Sequence, residues 1–184
     1  MNETLQTIRN RRSIRSYLPE QIKQEDLDLI IESAIYAPSG HNDQPWHFTI
    51  IQNKDTINYI NQKSKEYLKS APFEWMQTIG HNPNTILSYN APTLIIISGD
   101  QNASSPKTDC CAAIQNILLA AESLNIGSTW IGLMKYFLET PDEAKKVGVP
   151  DNYKAYYCVA LGYKANTHTT YVPKRKTDVV TYLL

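Results

Sequence analysis

The amino-acid sequence predicts an α+β fold in a single domain. Strand-like apolar runs and helical periodicities are mixed without the strict strand–helix–strand rhythm of a doubly wound sheet. Neither GxGxxG nor GxxxxGKS/T occurs, so the dinucleotide and phosphate-loop versions of that rival lose their main support. The chain has 184 residues, 42% of them apolar, which suits one domain with a real core.

The elements follow in order. Residues 3–10 read as a short helix with Leu5 and Ile8 inward, ending at the basic run RRSIR, Arg11 to Arg15. Lys23 to Ala37 is amphipathic, with Leu27, Ile30, Ile31, Ala34 and Ile35 on one face, and Pro38 stops it. Trp46 to Gln52 is β-branched and aromatic and reads as a strand. Asp55 to Lys69 is helical, with Ile57, Ile60 and Leu68 apolar. From Ser70 to Asn84 the pattern dissolves at Pro72, Gly80 and Pro83, and a short helix is expected to resume at Thr85. Thr93 to Ser98 is a nearly continuous apolar strand, hence buried on both faces.

Asp109 to Asn125 is the strongest helix and is apolar almost all round. That predicts a central or subunit-interface position, with Ile117 expected against a symmetry mate and Gly127 at or just beyond the C′ position. Thr140-Pro141-Asp142-Glu143 reads as a capping box with Pro at N1, opening a helix to about Val147. Tyr156 to Gly162 is a third strand, and residues 164–184 lack any period and read as an arm.

Composition removes several function classes. Lys+Arg and Asp+Glu are both 18, which argues against a dedicated nucleic-acid or membrane-surface protein. Runs such as Leu94 to Ile97 and Ile117 to Ala121 are too short to span a bilayer, and MNETLQTIRN does not read as a signal peptide. Three cysteines, with Cys110 and Cys111 adjacent and expected to be buried in a helix, form no disulfide framework and fit a reduced, cytoplasmic setting. His41, His47, His81 and His168 are scattered without metal-ligand spacing, and GxSxG is absent.

Two basic clusters in a neutral chain point to an anion, with two solvated surface patches as the plain alternative. RRSIR lies near the start, and PKRK, Pro173 to Lys176, near the end. Arginine offers bidentate donors and lysine a point charge, so phosphate is the natural guest. Between them lies PSGHNDQPWHF, Pro38 to Phe48.

The order of these pieces is similar to that of the nitroreductase family, the dimeric flavin mononucleotide (FMN) oxidoreductases. RRSIRSY before a helix resembles the family's N-terminal phosphate segment, and APSGHNDQPWHF its most characteristic stretch. DCCAAIQNILLAAESLNIGSTWIG resembles the central helix and the turn after it, and LGYK with PKRK the closing strand and basic tail. The resemblance covers nearly the whole chain. It implies a central mixed, largely antiparallel β-sheet flanked by helices in an intertwined homodimer. Residues 1–184 would form one FMN-binding domain, with 164–184 as a C-terminal arm.

The resemblance also implies the chemistry. Hydride passes from NAD(P)H, a transient donor, to flavin N5. It then passes to a nitroaromatic, quinone or related small acceptor in a ping-pong cycle that requires no catalytic side chain. The alternatives are a flavin store or sensor without efficient turnover and, if the resemblance is set aside, a phosphate-ligand binding module. Neither nucleic acid nor membrane is expected as a partner.

By match to the family motifs, Arg11, Arg12 and Ser13 hold one side of the FMN phosphate, and Lys174 and Lys176 the other. Arg175 can substitute for either lysine. Arg15 is the candidate cation at flavin N1 and O2, with a surface salt bridge as its plain alternative. Some relatives add a lysine three residues after an asparagine; Asn84 matches the asparagine, but Leu87 stands at the lysine position. Pro38, Ser39 and Gly40 wrap the ring from the partner subunit. Asn42 and Gln44 either bond its polar edge or fix the loop. Trp46 is expected in the core. Ile131 and Gly132 match the turn whose backbone approaches the ring. The segment with Phe73, Trp75 and Met76 either covers the pocket or is a surface loop over a packed aromatic.

Overall fold

In a computed structural model, residues 1–165 and 172–184 are described. Seven α-helices and four strands follow in order among them: α1 (Glu3–Asn10), α2 (Gln24–Ile35), β1 (Trp46–Ile51), α3 (Lys54–Leu68), α4 (Glu74–His81), β2 (Thr93–Asp100), α5 (Pro106–Ser123), β3 (Ile126–Ile131), α6 (Lys135–Leu138), α7 (Pro141–Lys146) and β4 (Tyr153–Tyr163). The sheet runs β1-β2-β4-β3, and every adjacent pair is antiparallel.

β2 is central, which is why its sequence lacks polar alternation: Thr93 to Gly99 are all buried. Leu94 and Ile96 enter a core with Ile57, Ile60 and Leu68 of α3 and Phe137 of α6. Ile95 and Ile97 enter the opposite core with Leu27 and Ile30 of α2 and Ile114 and Ile117 of α5. Successive strand residues point to opposite faces, so one apolar strand feeds two layers.

Several expectations change. Ile117 is fully buried within its own protomer, because α5 is covered by α2 and the sheet. The half-covered apolar residues left on α5 and its C-cap are Cys111, Ala112, Leu119, Ala120 and Leu124. Leu5 and Ile8 are 51% and 48% exposed and α1 buries no residue, since no layer of this chain lies over that face. Ile35 is likewise exposed, and Trp46 is only half-buried against the core. Cys110 is buried, but Cys111 only partly so.

Ile126–Ile131, with no strand assigned from sequence, pairs along β4, and α4 occupies part of the stretch that had no period. Thr85 opens no helix; turns lie at residues 83–84 and 87–90. Asn125, at φ 58°, takes the left-handed position after α5, leaving Gly127 inside β3. Thr140 does not cap α7 with its side chain; its hydroxyl donates to the Tyr136 carbonyl at 3.0 Å. His168 and residues 166–171 of the arm lie outside the described residues. Residues 172–184 carry no helix or strand.

Candidate cofactor site

Residues 11–18 are seated on the sheet by their backbone. Ile14 N–H donates to Ser128 O and Leu18 N–H to Tyr163 O, both at 2.9 Å. Ser13 bridges Ser128 and Tyr17 bridges Lys164. Ile14 and Tyr17 are buried, and the Tyr17 hydroxyl donates to Ile14 O at 2.6 Å. The Thr129 hydroxyl also donates to Ile14 O. Burial raises the Tyr17 pKa well above its ordinary value, so it serves as a neutral donor. Gly127 permits this crossing: a Cβ there would lie 2.9 Å from Ile14 Cγ2. With Ile14 and Tyr17 anchored inward, the arginines are carried on a fixed support.

Their side chains diverge. Arg11 is half-buried; burial lowers its pKa, Arg12 and Arg175 lower it further, and Glu122 opposes them. The arm's Arg175 therefore acts on the N-terminal cluster. Arg12 folds back onto the end of α1, where Nη1 donates to the carbonyls of Arg9, Asn10 and Arg11 at 2.7, 3.1 and 2.8 Å. A cation there complements the helix C-terminus. Arg15 points the other way, into a cleft of about 400 Å³ lined by Ser16, Tyr17, Asn84, Ile86, Tyr89 and neighbouring residues. Arg15 is the one charged residue in that lining among the described residues. Leu87 is 2% exposed and faces the core, so its position does not reach the cleft.

The Pro38–Gln44 loop is built differently. His41, Asn42 and Gln44 have φ of 50°, 59° and 46°, a left-handed run needing outside support. The start of α5 supplies it. Buried Asp109 accepts from Gly40 N–H at 3.3 Å and from the Ser105 hydroxyl at 2.9 Å. Asp43 accepts from the Ser104 amide at 2.9 Å and its hydroxyl at 2.8 Å, which lowers its pKa. Gly40 lies so close that a Cβ would come within 2.6 Å of Ser105 Oγ. Ser39 Oγ accepts from Gln44 N–H, and Asn42 Oδ1 from Gln44 Nε2, both at 3.1 Å. Within the protomer these two side chains stabilise their own loop.

The structure thus places Arg15 with Asn84, and lets Arg175 act on Arg11. Apart from its internal bonds, the described hydrogen bonds of the Pro38–Gln44 loop run to Asp109 of α5 and to Ser104 just before it, and not to residues 11–15. Ile131 is buried, so only its backbone can meet a ligand, while Gly132 is exposed with nothing within 4 Å of where a Cβ would project. Lys174, Arg175 and Lys176 are exposed. Three participants were not singled out from sequence: Asp109, Asp43 and Tyr89. A carboxylate in the first turn of an otherwise apolar helix was the available sign for Asp109; nothing local marks Tyr89.

No cluster of metal-binding type occurs among the described residues. Burial pushes the Cys110 and Cys158 thiols up to about 12, which removes them as nucleophiles near neutral pH.

The family model described as "Nitroreductase family" matches residues 8–163. A nitroreductase from Bacteroides fragilis, solved with bound FMN, is 36% identical, covers 100% of both chains and superposes with a TM-score of 0.92. A nitroreductase with bound FMN from Desulfitobacterium hafniense is 32% identical over 100% of both chains, TM-score 0.86. A protein of Archaeoglobus fulgidus, provisionally named an NADH dehydrogenase/NAD(P)H nitroreductase, is 33% identical over 89% of this chain and 86% of its own.

Proposed function

The chain belongs to the nitroreductase family, and from that premise we propose that it is an FMN-dependent oxidoreductase drawing electrons from NAD(P)H. The observation that carries the site assignment is the cleft where Arg15 and Asn84 meet, the cation and amide that a flavin's pyrimidine edge calls for. The surrounding chain fits FMN in two further ways. Arg175 of the late cluster lowers the Arg11 pKa, so cations from both ends of the sequence lie near one place, as a phosphate dianion favours. Gly132 leaves open space where any side chain would intrude.

When bound, FMN supplies two-electron hydride chemistry, taking hydride from NAD(P)H and passing it to a nitroaromatic, quinone or related acceptor in alternation. The protein's own residues bind and orient. Arg11, Ser13, Lys174 and Lys176 hold the phosphate, with Arg12 and Arg175 beside them. Arg15 meets negative charge at N1 and O2, and Asn84 presents its amide to the same edge. The backbone of Ile131 and Gly132 lies against the ring.

We place the Pro38–Gln44 loop, with Ser39, Gly40, Asn42 and Gln44, against the partner subunit's cofactor in a homodimer. The uncovered apolar side chains of Leu5, Ile8, Leu29 and Ile35 support a twofold interface. No helix among the described residues is long and apolar enough to cross a membrane. The three free cysteines fit a cytoplasmic location.

Purified protein should be yellow and release FMN, and anaerobic NADH or NADPH should bleach it. Adding a quinone or nitroaromatic should restore the colour, with parallel double-reciprocal plots. Bound flavin that NAD(P)H leaves unreduced would support the store or sensor instead. Arg15→Ala should lower the two-electron potential by tens of millivolts, about 30 mV corresponding to 1.4 kcal/mol. It should weaken oxidised FMN less than Arg11→Ala does. Lost binding at an unchanged potential would put Arg15 on the phosphate.

A further inference from the structure

The turn before β2 is held in an unusual conformation and is anchored on both sides. Tyr89 and Asn90 are consecutive left-handed residues, at φ 56° and 58°. Asparagine adopts that region readily; a bulky aromatic seldom does, because Cβ crowds the following carbonyl. Leu87 and Ala91 are buried to either side. Ser88, also buried, is gripped by Asn61 of α3: Asn61 Oδ1 accepts from Ser88 N–H at 2.9 Å, and Asn61 Nδ2 donates to Ser88 Oγ at 2.8 Å. Tyr89 N–H closes the turn on Ile86 O at 3.1 Å. With these anchors, the direction of the Tyr89 side chain is set by the turn.

That direction meets Arg15. The guanidinium carbon lies 5.8 Å from the Tyr89 ring centroid, and both residues line the cleft that holds Asn84. No carboxylate stands within ion-pair distance of Arg15 among the described residues. A salt bridge, the plain alternative for this arginine, is therefore not what holds it. An aromatic face attracts a cation through its quadrupole without neutralising it. A carboxylate in the same place would cancel the charge that the site uses.

We propose that Tyr89 is a positioning residue for Arg15, its ring fixing the guanidinium over the Asn84 cleft so that the full positive charge faces the cofactor edge. The inference rests on the role proposed above for Arg15. It assigns Tyr89 no contact with substrate and no proton transfer. A pre-oriented cation stabilises charge that appears on reduction without reorganising at that moment. Removing the ring should therefore weaken reduced FMN more than oxidised FMN.

The test uses the FMN-loaded protein, reading the two-electron potential by redox titration and oxidised-FMN affinity by fluorescence. Tyr89→Asn removes the ring while keeping a residue that accepts the left-handed backbone; Tyr89→Phe keeps the ring and removes the hydroxyl. Tyr89→Asn should weaken reduced FMN roughly threefold more than oxidised FMN, a drop of about 14 mV. Tyr89→Phe should restore the wild-type potential. In an Arg15→Ala background, Tyr89→Asn should add nothing, because the two act through one charge. A wild-type potential in Tyr89→Asn, or an additive drop in the double variant, would overturn the proposal while leaving Arg15 in place. If Arg15→Ala itself left the potential unchanged, the placement of Arg15 would fall first and that of Tyr89 with it.

Discussion

Two segments proposed to hold the cofactor, one from each subunit, rest on different kinds of support. Residues 11–18 are pinned by backbone bonds to Ser128 and Tyr163 and by buried Ile14 and Tyr17. Their functional side chains project from a backbone that does not depend on them. The Pro38–Gln44 loop has three left-handed residues and is tied by the carboxylates of Asp109 and Asp43. The first segment should lose ligand when its arginines change and lose its fold when its anchors change. In the second, anchor and presentation are one structure, so a polar substitution should alter both.

The largest expected effect falls on the anchor of the first segment. Tyr17→Ala removes a buried ring and the hydroxyl that holds Ile14 O. It should cost about 3 to 5 kcal/mol in urea denaturation, with cofactor and fold lost together. An unchanged midpoint with weakened FMN would show that Tyr17 acts on the ligand.

The functional side chains come next. Lys174→Ala combined with Lys176→Ala should weaken FMN by roughly tenfold or more per lost phosphate contact, and riboflavin far less. Equal losses for the two flavins would take the arm off the phosphate. Within RRSIR the structure sharpens the contrast. Arg12 is engaged with three α1 carbonyls, so Arg12→Ala should lower the thermal midpoint with a smaller loss of FMN than Arg11→Ala.

For the loop, Asp109→Ala strands the Gly40 N–H and Ser105 hydroxyl. It should cost about 1 to 3 kcal/mol. FMN affinity should fall alongside the midpoint; affinity held constant would mean that the loop is not part of the site. The smallest effect is acid sensitivity at Asp43. Its pKa lies below the ordinary 3.8 because the Ser104 amide and hydroxyl stabilise the carboxylate. A depressed folded pKa gives a contribution that is full above the ordinary value and is lost as pH falls through the folded one. Protection of the Ser104 amide in hydrogen exchange should decline below about pH 4, and Asp43→Asn should flatten that decline.

Much of the architecture was legible because its causes are local. The apolar period of α2, the unbroken TLIII of β2 and Pro38 after α2 are signals carried within a few residues. β3 was missed because IGSTWI becomes a strand by pairing along β4, not by alternation of its own. α4 was missed because Gly80 lies within it and Pro72 and Pro83 lie close by. The order of the motifs proposed a set of site residues. Their separate tasks were not, because Arg11, Arg12 and Arg15 are alike in sequence and differ only in what faces them.

The sequence by itself determined the helical faces, the buried central strand, the two basic clusters and the family they indicate. Periodicity, chain breakers and charge are properties of neighbours along the chain. Tertiary structure alone decided that Ile117 turns into its own protomer while Leu5 and Ile8 stay uncovered. It also decided that Arg12 caps α1 while Arg15 lies over Tyr89. Coverage of an apolar face and the partner of a charge depend on which distant segments fold against it. No local pattern encodes that choice.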